Sequence, residues 1–308
     1  MERIDDDAAV DYARKGMSNV AIAEVLGCDE ASVRRALRRK GYKRHLLPVD
    51  LDTRWHIELD KPVVISNQDV MITADWHVPL YNPRMINDMI ETARVLGLRT
   101  LVMGGDFWNF DALSQYDPKQ SAANLEREWK EGLGIMRVLA ETFDRFYYVW
   151  GNHDARFHKA LGHATSFATS MKIVFGAAGD DVLAKMTFTN LDHLWVAYGA
   201  DVDGSEDPND YDPHRRWYIC HPQSYSSVPL TTARALTAKM HGNVITAHSH
   251  HAAVGYGVDG KFVAAEAGGL FDASKTAYLQ RSTKFPRWQN GYAYLTGERF
   301  KLVTDHFG

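Results

Sequence analysis

Cysteine is scarce: Cys28 and Cys220 are the only two in 308 residues, and they lie far apart in unrelated contexts. That usage argues against a disulfide framework and reads as reduced thiols in a cytoplasmic protein. No apolar run approaches the roughly 18 to 20 residues that a membrane span requires. The opening stretch MERIDDDAAVDYARKG is acidic and polar, without the apolar core of a signal peptide. Internal repeats and low-complexity tracts are missing too. Neither sign of charge dominates: 35 Lys and Arg face 39 Asp and Glu, a net charge of −4, which taken as an average argues against a generic nucleic-acid binder. What the chain does have is 45% hydrophobic content, enough to bury a large core in one big domain with an appendage or in two modest domains.

The charge average hides an asymmetry. Residues 1–47 hold ten Lys and Arg against eight Asp and Glu, a net of +2, so the remaining 261 carry −6. Ser18 is placed to cap a short helix with apolar positions Val20, Ile22, Ala23, Val25 and Leu26, ending at Gly27. Asp29 is placed to cap the next helix, which buries Val33, Ala36 and Leu37 and turns Arg34, Arg35, Arg38 and Arg39 outward. Two short helices across a turn opened by glycine form a helix-turn-helix pattern. The segment resembles the DNA-binding heads of resolvases, invertases and small phage regulators. On that resemblance the basic set Arg34, Arg35, Arg38, Arg39, Lys40, Lys43 and Arg44 contacts DNA. Arginine suits phosphates and guanine edges alike, so no target sequence can be read. The plainer alternative is a solvated basic helix pair lying on the protein's own acidic body. Residues 48–61, with Pro48 and scattered charges, read as a linker into a second domain spanning 62–308.

After Pro62, apolar runs alternate with helical stretches. The runs are PVVIS, VMITADWH, TLVMGGD, FYYVWGNHD, WYICHP and NVITAHSHH; PRMINDMIETARVLG and ANLEREWKEGLGIMRVLAETF have helical periodicity. That alternation predicts an α/β body. In the last third, two hairpins are expected, turning at Val258-Asp259-Gly260-Lys261 and at Thr296-Gly297-Glu298, which makes the sheet mixed.

The ends of these runs carry the chemistry. Residues two apart in a strand share a face, so Asp75 with His77, and His248 with His250, are expected to project together from strand ends. Asp106 follows two glycines that let the backbone bend. GNHD supplies Asn152, His153 and Asp154, and ICHP supplies His221. Each fragment alone has a bland reading: a capping Asp, a turn Asn, a satisfied or surface histidine. Five run ends bearing Asp, Asn or His, in a sheet that gathers its loops at one edge, read instead as one site. Adjacent neutral imidazoles suit a metal ion.

The ordered series D-x-H, G-D, G-N-H-D, H and H-x-H resembles the calcineurin-like metallophosphoesterases over most of residues 62 to about 295. The resemblance implies an α/β sandwich of mixed β-sheets flanked by helices, added to the small all-α head. It implies two divalent metal ions, manganese first, with iron or zinc as alternatives. Asp75, His77 and His250 would hold one, and Asn152, His221 and His248 the other, with Asp106 and a water bridging them. His153 would meet the phosphoryl group and protonate the leaving oxygen, with Asp154 orienting its ring. Asn109, in the fourth place of a G-D-x-x-D/N pattern, would support the ligands from behind, with Asp111 as the alternative. His193, His214 and His241 share the interval of the lone histidine; His221 is preferred because RRWYICHP runs a strand into it before Pro222.

Together these features point to a two-metal phosphoesterase cleaving phosphodiester bonds, and the head points to DNA, making a nuclease akin to the catalytic subunits of double-strand-break repair. The layout, with FPRWQNGYAYLT near the end, also resembles phosphoesterases encoded by bacterial viruses. The acidic body opposes a DNA track unless RFHK, HRRWY and LQRSTKFPRW supply local positive charge. The alternatives are a phosphatase or cyclic-nucleotide phosphodiesterase on small molecules or phosphoproteins, and a DNA-binding regulator whose body only binds ligand. DNA is the expected partner, with no membrane; a homodimer stays open and no protein partner is read.

Overall fold

Three helices, rather than two, form the head: α1 (Asp6–Arg14), α2 (Asn19–Val25) and α3 (Glu30–Arg39). The computed structural model describes residues 4–42, 60–114, 125–162, 164–199, 204–275 and 288–305. Each helix of the head starts at a side-chain cap. Asp5 accepts from the amides of Asp7 and Ala8, Ser18 from Ala21, and Asp29 from Ser32 at 2.6 Å, which satisfies donors that a helix start leaves free. The core of this unit joins Ala9, Ala13, Ile22, Ala23, Val33, Ala36 and Leu37. The first helix escaped sequence analysis because its buried face is only two alanines, too weak a periodic signal.

The described basic residues of α3 and Lys40 are turned to solvent as expected, but several are paired with acids of the head itself. Arg39 makes two hydrogen bonds to Asp6 on α1 (2.9 and 2.5 Å), Lys40 pairs with Asp7 at 2.8 Å, and Arg34 pairs with Glu30 at 2.7 Å. Arg35 has Ser32 as its hydroxyl partner at 3.0 Å. Lys43, Arg44 and nearly all of the linker lie outside the described residues. The chain divides into two compact units, Met1–Leu59 and Asp60–Gly308.

The second unit is mixed α/β, with two six-stranded mixed sheets flanked by helices. One sheet runs β12 (Arg299–Thr304), β11 (Gly291–Thr296), β2 (Val70–Thr73), β3 (Thr100–Gly104), β4 (Arg145–Val149) and β5 (Met186–Phe188). The other runs β1 (Val64–Ser66), β6 (His193–Ala197), β7 (Arg216–Cys220), β8 (Asn243–Thr246), β10 (Val263–Ala267) and β9 (Ala252–Tyr256). Both expected hairpins form: β9 pairs antiparallel with β10, and β11 with β12. Strand β6 was not foreseen; it pairs parallel with β1 and antiparallel with β7.

Side-chain alternation turns one face of each sheet toward the other. Ile72, Val102, Val149 and Leu295 from the first meet Ile65, Val196, Ile219 and Ile245 from the second. On the first sheet's outer face, α4 (Pro83–Leu96), α5 (Leu125–Ala140) and α7 (Phe167–Gly176) close a larger core. Asn82 caps α4, Pro83 occupies its first turn, and Gly97 ends it in the left-handed conformation. On the second sheet's outer face, Ala233 of α9 (Thr231–Met240) packs with Trp195, Tyr218 and Val244. Parallel pairing of β2, β3 and β4, and of β7 and β8, sends all their C-terminal ends the same way within each sheet. Those ends carry the polar residues.

Two glycines on α5 test the packing. A methyl group on Gly132 would overlap the fully buried Trp108 ring, whereas Gly134 faces open space. Gly132→Ala is expected to cost about 1–3 kcal/mol through overpacking. Gly134→Ala is expected to gain about 0.5–1 kcal/mol by stiffening the helix interior. Urea midpoints at constant slope measure both.

Candidate metal centre

Strand β2 stops at Thr73 and β8 at Thr246, short of the residues expected to share a strand face. Asp75 (φ 51°), His77 (46°), Asp106 (52°), His248 (72°) and His250 (57°) all adopt the left-handed conformation. Non-glycine residues are held there at a cost of order 1–3 kcal/mol each. Pleat alternation therefore does not pair Asp75 with His77 or His248 with His250. Alternating left-handed residues in tight loops do. The loops are pinned by backbone bonds: Asp75 N donates to Gly105 O (3.0 Å), Trp76 N and His77 N both donate to Asp106 O (2.9 and 3.0 Å), and His248 N donates to the Asp75 carboxylate (3.0 Å).

The donor atoms converge in two clusters. In the first, His77 Nε2 lies 3.2 Å from His250 Nε2, and Asp75 Oδ1 lies 3.3 Å from His250 Nε2. In the second, His221 Nε2 lies 3.1 Å from Asn152 Oδ1, 3.2 Å from His248 Nδ1 and 3.4 Å from Asp106 Oδ2. Asp106 belongs to both neighbourhoods, grouping with His77 and His153 on one side and with His221 and His248 on the other. Separations of roughly 3.0–3.4 Å are what ligands about 2.1 Å from a common ion adopt. Asp75 Oδ1 and Asp106 Oδ2 are buried with no hydrogen-bond partner, which is costly for a carboxylate unless a cation answers it. His221 donates from Nδ1 to Gly104 O at 3.0 Å, which turns its Nε2 toward the cluster. The donor set, nitrogen and oxygen with two carboxylates, fits divalent transition-metal ions.

Close approach demands the two glycines around Asp106 and Asn152. A Cβ on Gly151 would overlap the Asp106 carboxylate, and one on Gly105, at φ +89°, would lie 2.7 Å from His221 Nδ1. His193 pairs with Asp192 at the start of β6, while His214 and His241 are exposed. Among the described residues, only His221 of the four alternatives joins a donor cluster.

Three expectations need correction. Asp154 does not touch the His153 ring. Fully buried, it accepts from the amides of Asp106 (2.8 Å), Gly151 (2.9 Å) and Trp108 (3.3 Å), stitching the two ligand loops together. The His153 ring is oriented instead by the Asn109 carbonyl, 2.8 Å from Nδ1. Asn109 thus supports the site through its backbone, and Asp111 pairs with Arg156 at 2.8 Å. The expected basic track also shrinks. Arg216 is buried and donates to the carbonyls of Pro208 and His241, and Arg215 pairs with Glu298. LQRSTKFPRW lies outside the described residues except for Trp288, which packs 4.8 Å from the His250 ring.

The sequence offered Arg156 only as part of the positive charge of RFHK, and Glu128 was not foreseen at all. Arg156 sits one helical turn beyond His153 on α6 (Asp154–Ala160), and Glu128 is a buried acid on α5 whose Oε1 accepts from the amides of Asn109 (2.9 Å) and Phe110 (2.7 Å). An acid inside an otherwise apolar helical face was the only signal for Glu128.

Burial opposes ionisation of Asp106, yet His221 and His153 beside it hold its carboxyl well below the usual range. Burial also opposes Asp75, where His250 likewise wins. At His221, burial is outweighed by Asp106 and then Asp75, which lift the ring to about 10. Burial and the neighbouring His221 push His248 down to about 4, and burial with His153 pushes His77 well down. Burial, then the Asp106 charge, raises Asp154 to about 7. The arrangement is a buried negative pair ringed by mostly neutral imidazoles.

No family model matches the chain, and no curated protein matches its sequence. Solved structures overlap it loosely. An archaeal phosphodiesterase is 12% identical at a TM-score of 0.39, covering 77% of this chain and 99% of its own. The phosphoesterase Yfce from E. coli is 12% identical at 0.34, covering 74% and 88%. A dimetal phosphatase from Danio rerio is 10% identical at 0.36, covering 79% and 96%. Overlaps this loose leave the functional argument to the geometry of the two donor clusters.

Burial raises Glu128 from about 4.5 to about 8. A carboxyl raised in the folded state contributes stability that is full below its unfolded value and lost as pH climbs through its folded value. Wild-type stability should therefore fall between pH 4.5 and 8 relative to Glu128→Gln, whose amide oxygen keeps both amide bonds and never ionises. Parallel urea midpoints for the two proteins across that range would sink this assignment.

Proposed function

We propose that the chain is a two-metal phosphoesterase that hydrolyses phosphodiesters, with DNA as substrate and the N-terminal head as its tether. One observation carries the enzymatic reading: two donor clusters linked through His77 and the buried Asp106 carboxylate. Asp75, His77 and His250 would hold one ion, Asn152, His221 and His248 the other, and Asp106 would bridge them. Manganese suits the mixed nitrogen and oxygen set, as do iron and zinc. Bound there, two divalent ions supply positive charge to the phosphate oxygens and acidify a shared water.

The chain's own residues set the stage for that chemistry. Asp154 and the two glycines hold Asp106 and Asn152 in register. The His153 ring stands 4.5 Å from His77, centroid to centroid, beside the first cluster, and we take it as the group that would meet a phosphoryl oxygen. The DNA reading rests on the head: three capped helices with Arg35 and Arg38 exposed on α3. A phosphatase or cyclic-nucleotide phosphodiesterase acting on small molecules is the second reading. It is favoured by the internal pairing of Arg34, Arg39 and Lys40 and by the burial of Arg216, which thin out the positive surface.

Metal content tests the site. His221→Ala is expected to retain one divalent ion per chain after dialysis and His214→Ala to retain two, read by elemental analysis; equal content in both would remove His221 from the ligand set. Asp106→Asn should lose at least one ion together with turnover.

Hydrolysis of single-stranded, double-stranded and nicked DNA beside a bis-nitrophenyl phosphate by the metal-loaded protein tests the substrate. Arg35→Glu with Arg38→Glu should weaken DNA binding while leaving turnover of the nitrophenyl diester unchanged. With about two to four phosphates contacted, binding should fall with salt at a log–log slope of about −2 to −4. DNA affinity indifferent to both the double reversal and salt would leave the small-molecule reading in place.

A further inference from the structure

His153 is gripped from both sides. Its Nδ1 lies 2.8 Å from the Asn109 carbonyl oxygen, and a carbonyl only accepts, so Nδ1 carries the hydrogen. Its Nε2 lies 3.2 Å from Arg156 Nη2, and a guanidinium only donates, so Nε2 carries the lone pair. A ring protonated on both nitrogens would set two N–H groups head to head across that second contact.

Arg156 is itself fixed. Its Nη1 donates to Asn109 O and to Asp111 Oδ1, both at 2.8 Å, so one guanidinium spans the histidine, the carbonyl that orients it and a carboxylate. The spacing of three residues along α6 brings Arg156 onto the face that holds His153. Asn109 in turn hangs from the buried Glu128 through its amide. The whole assembly converges on one imidazole beside the donor clusters.

We propose that Arg156 is a positioning residue that locks His153 in the tautomer with hydrogen on Nδ1 and the lone pair on Nε2. The proposal rests on the phosphoesterase reading for its consequence in catalysis, though not for the lock itself. In this tautomer His153 enters the reaction as an acceptor with a fixed cation at its side. It does not hand a proton to the leaving oxygen from Nε2, contrary to the role expected from sequence. Arg156 does to the imidazole from one side what Asp154 was expected to do from the other.

The test uses the full-length chain labelled with 15N, in chelator and with diamagnetic zinc. Long-range proton–nitrogen spectra of histidine rings report which nitrogen is protonated, and loss of a signal set in His153→Gln identifies His153. The wild type is expected to show Nδ1 protonated and Nε2 bare. Arg156→Met, which keeps bulk and loses every donor, should let signal from a ring with hydrogen on Nε2 appear, and Arg156→Lys should restore much of the original pattern. On an alkyl phosphodiester, kcat of the Met variant should drop by about 10- to 100-fold with KM nearly constant, the signature of a misplaced group rather than lost binding. A wild-type ring protonated on Nε2, or identical ring spectra in wild type and Arg156→Met, would overturn the lock. Should the Met variant fail to fold, Asp111→Ala carries the test: it removes the side-chain acceptor that anchors the guanidinium, and an unchanged His153 spectrum there counts equally against the proposal. A shifted spectrum with a metal-loaded wild type that cleaves no phosphodiester keeps the lock and removes the enzymatic reading. Robust cleavage with an unshifted spectrum does the reverse.

Discussion

The Asp106 carboxylate, almost wholly buried, is the constraint on which the rest of the body turns. One of its oxygens accepts from the His153 amide at 2.8 Å; the other faces His221 at 3.4 Å with no hydrogen bond. A half-satisfied buried charge is among the least favourable features a fold can contain, unless a positive group neutralises it. Everything nearby serves to hold it in that state. Asp154 bonds the Asp106 amide, Gly151 clears space for its side chain, and its own carbonyl receives two amides from the Asp75–His77 loop. The sheets supply rigidity: five ligand-bearing loops leave the ends of strands whose own residues are packed on both faces.

Backbone strain follows from the same demand. Five of the seven residues assigned to metals sit at positive φ, where side chains are disfavoured. A strand continuing through Asp75 and His77 would splay their neighbours alternately and leave the donor atoms at strand spacing. A left-handed turn at each of these five candidate ligands folds the chain back, and nitrogen and oxygen atoms from distant segments meet at 3.1 to 3.4 Å. The cost is carried by the two-sheet core and the large aromatic cluster around Trp108, Phe110 and Phe175, which leave the loops little room to relax.

How much of this could be read from sequence depends on which physical signal each residue leaves. The candidate ligands were legible because Asp, Asn and His after apolar runs are chemically conspicuous, and the helix α4 was legible through its cap, its proline and its terminal glycine. The reason offered for pairing Asp75 with His77 was wrong, since left-handed conformation in non-glycine residues leaves no compositional trace. Strand β6 was missed because LWVA is short and follows a polar turn. Asp154 was identified as part of the site and given the wrong partner, because amide acceptance by a buried carboxylate cannot be told from imidazole pairing in a string of letters. Arg156 and Glu128 act through backbone carbonyls and amides of a loop far away in sequence, and such contacts exist only once the fold does.

The head shows the opposite failure, in which a signal was read too strongly. Seven basic residues without an acid between Ala31 and His45 looked like a free cationic surface. Yet Asp6 and Asp7, which begin a helix that packs against α3, pair with Arg39 and Lys40, and Glu30 of α3 itself pairs with Arg34. Exposed pairs of this kind contribute little stability and exchange readily with solvent, so a polyanion can compete for the same arginines. It must then displace a carboxylate for each phosphate gained, which lowers the net gain at Arg39 and Lys40 while leaving Arg35 and Arg38 at full value. Local charge counts measure what a surface contains; the tertiary pairing of those charges decides how much of it a partner can use.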